Sequence, residues 1–232
     1  MDKMKKINTV FTIICLFACF SNAKTFYANG YPEVKKVALT FDDGPGKATK
    51  RVLEILKEKN VKATFFMLGI RVESDTETAK KVVADDHEIG SHTYEHVNFY
   101  SYKVDDKIRK MERGILQAKK IIKDKLGVDT YLMRFPYGYS KPEGLEVAQK
   151  QGYYVINWSF GMDWENVSAQ EMHIKYKQAI KNGAIFLMHD LPKNDKILSF
   201  LGDFIDEIRA EGYEIVTVSE LLNLKQKYQT EI

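Results

Sequence analysis

Two adjacent carboxylates, Asp42 and Asp43, follow the apolar run Val37-Ala38-Leu39 within Thr40-Phe41-Asp42-Asp43-Gly44-Pro45. Further on, His92-Thr93-Tyr94-Glu95-His96 supplies two imidazoles four residues apart. One carboxylate and two imidazoles suffice for a mononuclear divalent-metal site, with the second carboxylate left to act as a base. Three more clusters lie downstream: Arg134-Phe135-Pro136-Tyr137-Gly138, Asp163-Trp164 and Leu187-Met188-His189-Asp190. Each again follows an apolar run.

Taken singly, each cluster has an ordinary explanation. Asp-Asp-Gly-Pro is common turn composition. Arg134 can pair with a neighbouring acid, and Asp163-Trp164 can be a packed aromatic beside a helix cap. His189 can be a satisfied core histidine. His92 and His96 share a face if their segment is helical, and such a pair is as often surface as ligand. His87 and His173 lack such a setting and read as structural or exposed.

The order of elements gives the clusters their weight. Short apolar runs, such as Lys36–Phe41, Val61–Phe66, His87–Gly90, Tyr131–Met133, Tyr153–Trp158, Ala184–Leu187 and Tyr213–Val218, read as strands. Amphipathic helices alternate with them, over Ala48–Lys59, Thr76–Ala84, Val104–Lys125, Pro142–Lys150, from Ser168, over Asp195–Ala210 and from Ser219. Ser168-x-x-Glu171 is a capping box. Asn166-Val167-Ser168 also matches a glycosylation acceptor, but the cap is the more economical reading. The alternation predicts an α/β fold: an irregular (β/α) barrel of about seven parallel strands with outer helices. All five polar clusters then fall at C-terminal strand ends. In such a barrel those ends share one face, and that face carries chemistry.

The first residues read as an address. Lys3, Lys5 and Lys6 form a positive start, Val10–Phe20 is apolar, and Ser21-Asn22-Ala23 offers a cleavage site, so residues 1–23 are an expected export signal. Leu16-Phe17-Ala18-Cys19 resembles a lipoprotein box that would place lipidation at Cys19, with Phe17 fitting poorly. Residues 24–35 then form a lead-in and 36–232 one domain. Both cysteines, Cys15 and Cys19, lie in the signal, which excludes a disulfide framework or thiolate chemistry from the body. The net charge is +3, of which the segment to Ala23 carries +2. No basic patch is concentrated anywhere, so nucleic acid is not an expected partner, and no obligate protein partner is evident.

These motifs, in this order, resemble those of the polysaccharide deacetylases of the NodB-homology type, the fourth carbohydrate esterase family. The resemblance runs from about Lys36 to Leu222. It implies that Asp43, His92 and His96 hold one divalent metal, zinc first, with Co²⁺, Ni²⁺ or Mn²⁺ as alternatives. It implies Asp42 as general base toward the attacking water, with Arg134 keeping it ionised and oriented. His189 would protonate the departing amine, with Asp163 steadying its imidazolium. The backbone N–H of Tyr137, in the Arg134-Phe135-Pro136-Tyr137-Gly138 motif, would face the developing oxyanion, and Trp164 and Leu187 would form a slot for the acetyl methyl. The resemblance marks Pro136 too as substrate-binding. One position departs: many relatives carry an Asp three residues before the Asp-Trp pair, where this chain has Phe160. That departure bears on the local geometry and substrate fit near Trp164.

The implied substrate is an N-acetylated polysaccharide or oligosaccharide. Export points to peptidoglycan first, then chitin-type or poly-N-acetylglucosamine chains, with acetylxylan further behind. Two other classes stay open: a non-catalytic glycan-binding relative, and a metallohydrolase acting on another acetamide or acetyl ester.

Overall fold

The strand Lys36–Asp42 organises the molecule because its two faces have different jobs. Val37, Leu39 and Phe41 point outward into a large apolar cluster shared with the helices. Ala38, Thr40 and Asp42 have the opposite parity and face inward. Ala38 joins an inner cluster with Phe66, Ile156 and Ile185. A computed structural model describes residues 25–225. The expected export signal, with Cys19, lies outside the described residues.

Eight strands are present among the described residues: β1 (Phe26–Tyr27), β2 (Lys36–Asp42), β3 (Thr64–Met67), β4 (Glu88–Ser91), β5 (Leu132–Met133), β6 (Tyr154–Ile156), β7 (Ile185–His189) and β8 (Glu214–Val216). They run parallel in the order β1-β6-β5-β4-β3-β2-β7, with β8 pairing the start of β2. Helices α1 (Lys47–Glu58), α2 (Gly69–Ser74), α3 (Thr76–Ala84), α4 (Val104–Leu126), α5 (Pro142–Lys150), α6 (Ala169–Gln178), α7 (Leu201–Ala210) and α8 (Val218–Leu221) form the connections and the outer layer. The sheet curls until Phe160, just beyond β6, bridges Phe186 of β7. Leu187 N–H donates to the Phe160 carbonyl at 2.8 Å, which closes the irregular barrel predicted from the alternation.

Outward residues such as Phe65, Phe186 and Met188 pack under Val52, Leu56, Phe204 and Ile208 of the helices. Each such fully buried side chain contributes about 1.5–3 kcal/mol relative to exposure. Ser168 caps α6 by accepting from the Glu171 N–H at 3.1 Å, as its sequence predicts.

Three elements differ from the sequence reading. Asp195–Ala210 is not one helix: a 3-10 segment, Pro192–Ser199, ends at Phe200, and α7 begins after it. Phe200, at φ −132°, is buried in the core and interrupts the helical path. The two-residue β1 pairs with β6 within the expected lead-in. Helix α2 is short and follows β3 almost directly.

Candidate active site

The ends of β2 and β4 bring the first three residues together. Asp43 Oδ1 lies 3.4 Å from His92 Nε2 and 3.5 Å from His96 Nε2. The His92–His96 segment is not helical. It turns through Thr93 at φ 68°, an unusual value for a β-branched residue. Such strain persists only where the surroundings over-determine it. Here the Thr93 hydroxyl donates to the Glu95 carbonyl at 2.7 Å, and the Gly69 N–H donates to the Thr93 carbonyl at 2.9 Å. Asp43 is also left-handed, at φ 75°, a conformation that a short polar side chain tolerates.

These residues fit a divalent ion. His92 Nδ1 is 2.8 Å from the Arg134 carbonyl, which can only accept, so the proton sits on Nδ1 and the lone pair on Nε2 faces Asp43. Burial pushes His92 down to about 3, so the ring is neutral near pH 7. Asp43 Oδ1 is buried and has no hydrogen-bond partner among the described residues. Donor atoms around a tetrahedral ion at about 2.0–2.1 Å lie roughly 3.3 Å apart, close to the spacing found here.

Asp42 sits beside this group, tied to a different partner. Its Oδ1 accepts from Arg134 Nη1 at 2.7 Å, and the Arg134 side chain is fully buried. The guanidinium also donates to the Thr40 hydroxyl (2.8 Å) and to the Ile156 and Asn157 carbonyls (3.0 Å each). It stacks over Phe66 with Cζ 4.2 Å from the ring centroid. Burial pushes the Asp42 carboxyl up, while Arg134 and then His189 pull it back down. The balance leaves it above the ordinary carboxylate range, so the guanidinium tempers protonation without lowering Asp42 outright.

On the neighbouring strand, His189 ends β7 beside Asp42 in the parallel register. Its Nδ1 is 2.7 Å from Asp163 Oδ1, and its backbone N–H donates to Asp163 Oδ2, also at 2.7 Å. Burial alone would favour the neutral ring, but the Asp163 hydrogen bond and charge outweigh it and raise His189 to about 9. An imidazolium beside the cavity is therefore the resting form near pH 7.

Asp42, Asp43, His92, His96 and His189 line one cavity of about 610 Å³. Leu187, Tyr137 and Trp164 line it as well, as their motifs imply. Tyr137 has φ 59°, and its N–H makes no hydrogen bond to the described residues. Trp164 packs edge-on to His189, with centroids 5.8 Å apart. Pro136 is buried behind the wall and starts the turn that carries Tyr137. Arg134 and Asp163 lie behind the residues they hold.

The profile of the family described as polysaccharide deacetylase matches residues 29–156, more than half of the chain. The chain belongs to the polysaccharide deacetylase family. It is an enzyme of that hydrolase class. A peptidoglycan-N-acetylglucosamine deacetylase of Bacillus cereus is 36% identical over 82% of this chain and 90% of its own length. A crystal structure of the Bc1960 peptidoglycan N-acetylglucosamine deacetylase superposes with a TM-score of 0.82 at 28% identity, covering 88% of this chain and 95% of that one. A CE4 family pseudoenzyme from Bacillus anthracis superposes at 0.77 with 26% identity, covering 84% and 67%. Family fold alone therefore does not decide activity; the side chains in the cavity do.

At the position where many polysaccharide deacetylases place an Asp, Phe160 forms the barrel-closing bridge and packs edge-on against Tyr176 at 5.0 Å. Asp163 still reaches His189, so the substitution leaves that pair intact. Three residues of the site escape motif reading. Thr40 supports Arg134, and its inward parity with Asp42 was the available signal. Trp158 lines the cavity beneath Trp164, with centroids 6.3 Å apart. Asp190 is fully buried, accepts from the Thr49 hydroxyl at 2.5 Å and packs on Gly44; burial raises it to about 7. His87 and His173 are structural: His87 Nδ1 accepts from the Ala63 N–H, and His173 pairs with Glu207.

Proposed function

We propose that this chain is a metal-dependent hydrolase that removes N-acetyl groups from an N-acetylated glycan, peptidoglycan first. The observation that carries this reading is the shared cavity: a carboxylate anchored by Arg134 and an imidazolium anchored by Asp163 line the same cavity as the Asp43–His92–His96 triad. Amide hydrolysis needs both a base for water and an acid for a poor amine leaving group.

Asp43, His92 and His96 would hold the ion, most readily zinc given the borderline donor set. Once bound, it supplies Lewis acidity, making water easier to deprotonate and polarising the acetyl carbonyl. Asp42 takes the proton from the attacking water. Arg134 fixes the carboxylate that does so. The Tyr137 N–H faces the oxygen on which negative charge develops. His189 delivers a proton to the nitrogen as the C–N bond breaks, and Asp163 keeps its ring turned with Nε2 free. Leu187 and Trp164 enclose the acetyl methyl, and the exposed faces of Tyr137 and Trp164 offer stacking surfaces for sugar rings.

The substrate preference is supported by the peptidoglycan relatives and by the leader-like first 23 residues, which point to export with cleavage after Ala23 or lipidation at Cys19. We assign residues 36–232 to the catalytic domain. Acetate release from peptidoglycan, chitin oligomers and acetylxylan by the zinc-loaded protein tests the reading. Release from an N-acetylated glycan that stops on chelation and returns with metal is the expected result. No acetate from any of the three overturns it.

A further inference from the structure

The walls of the catalytic cavity are unlike one another. Tyr137, Trp158 and Trp164, carried by segments after β5 and β6, make one side aromatic. Arg71 on α2 and Lys193 after β7 also line the cavity. Strands β3 and β7 are the two neighbours of β2 at its site end, so the cations flank the strand that carries Asp42 and Asp43.

Both side chains are exposed, and neither makes an ion pair or hydrogen bond with the described residues. Neither is paired with the carboxylates of the floor: Asp42 is bonded to Arg134, and Asp43 faces His92 and His96. A guanidinium and an ammonium held at a cavity mouth without counter-ions form a receptor for negative charge. Neutral chitin-type chains offer such a rim only uncharged hydroxyls and acetamides.

We propose that Arg71 and Lys193 read a carboxylate on the glycan beside the sugar being deacetylated, so that the site selects anionic over neutral N-acetylated chains. The inference rests on the deacetylase reading above and narrows its substrate. The carboxylate is either the lactyl group of a muramic acid or a free acid of an attached peptide. Both present the same planar anion, which Arg71 can bind through two parallel hydrogen bonds.

The test compares kcat/KM of the zinc-loaded enzyme on three tetrasaccharides: neutral N-acetylglucosamine tetramer, a peptide-free alternating N-acetylglucosamine–N-acetylmuramic acid tetramer, and the same tetramer bearing stem peptides. The wild type is expected to favour an anionic tetramer about tenfold at low salt, with the advantage shrinking as ionic strength rises. Arg71→Gln and Lys193→Gln should each cut the anionic-to-neutral ratio about threefold, the scale of one exposed ion pair, and the double variant should bring it to about one. Whichever anionic tetramer carries the preference identifies the acid. A wild type without preference, or a preference that survives in the double variant, overturns the inference and leaves the deacetylase reading standing. A wild type that releases acetate from none of the three overturns both.

Discussion

Asp163 grips His189 twice, at the ring through Oδ1 and at the backbone through Oδ2, both at 2.7 Å. The ring therefore cannot rotate away from the cavity without losing a charge-assisted bond, and its proton is held up to about pH 9. An acid of this kind is charged below that value and lost above it. Activity on an acetamide should accordingly fall as pH rises through about 9. Asp163→Asn removes the charge, so the limb should move toward the unperturbed histidine value, with amide turnover down about 100-fold. A pH–rate profile of both proteins checks this.

His189→Ala should slow acetamide cleavage by about 10²–10⁴-fold while sparing an activated acetate ester, whose leaving group needs no proton. Equal losses on both substrates would make His189 a wall of the cavity.

Asp42→Asn should keep the metal and lose about 10²–10⁴-fold in turnover, because Asp42 is bonded to Arg134 and stands outside the triad. His96→Ala should lose the metal itself. Metal content after dialysis separates the two, and circular dichroism confirms that both remain folded.

Arg134→Met should cost about 3–5 kcal/mol of stability, since it strands a buried carboxylate. Arg134 also pulls Asp42 downward, so any residual activity should need a higher pH than the wild type. Thermal melts and the low-pH limb read these two effects separately.

Gly44→Ala should destabilise the loop beside Asp43. A methyl there would meet the Asp190 carboxylate oxygens at 2.2 and 2.6 Å, and Asp190 is pinned by Thr49. A cost of about 1–3 kcal/mol is expected, together with weaker metal retention.

The barrel and its five site clusters were legible because the chemistry recurs at strand ends, where apolar runs stop abruptly. Thr76–Ala84 and Pro142–Lys150 coincide with the helices found, since Asp75 caps one and Pro142 starts the other. The break at Phe200 was hidden because a core phenylalanine looks like any other apolar position on a helix. The non-helical path of His92–His96 depends on Thr93 being held at φ 68° by distant partners, which a sequence does not display. Asp190 was masked by His189 beside it, and Arg71 and Lys193 are surface cations until the fold sets them around one opening.

The Phe160–Phe186 bridge has a mechanical meaning. Elsewhere around the site, neighbouring strands are joined by ladder pairing, but this junction is stitched by a few bonds, with Ser159 and Leu187 N–H donating to the Ile185 and Phe160 carbonyls. Leu187, which lines the cavity, sits on that seam. The ring thus has a zip on the Leu187 side of the cavity, and the amide protons of Ser159 and Leu187 are the ones whose exchange would report it opening.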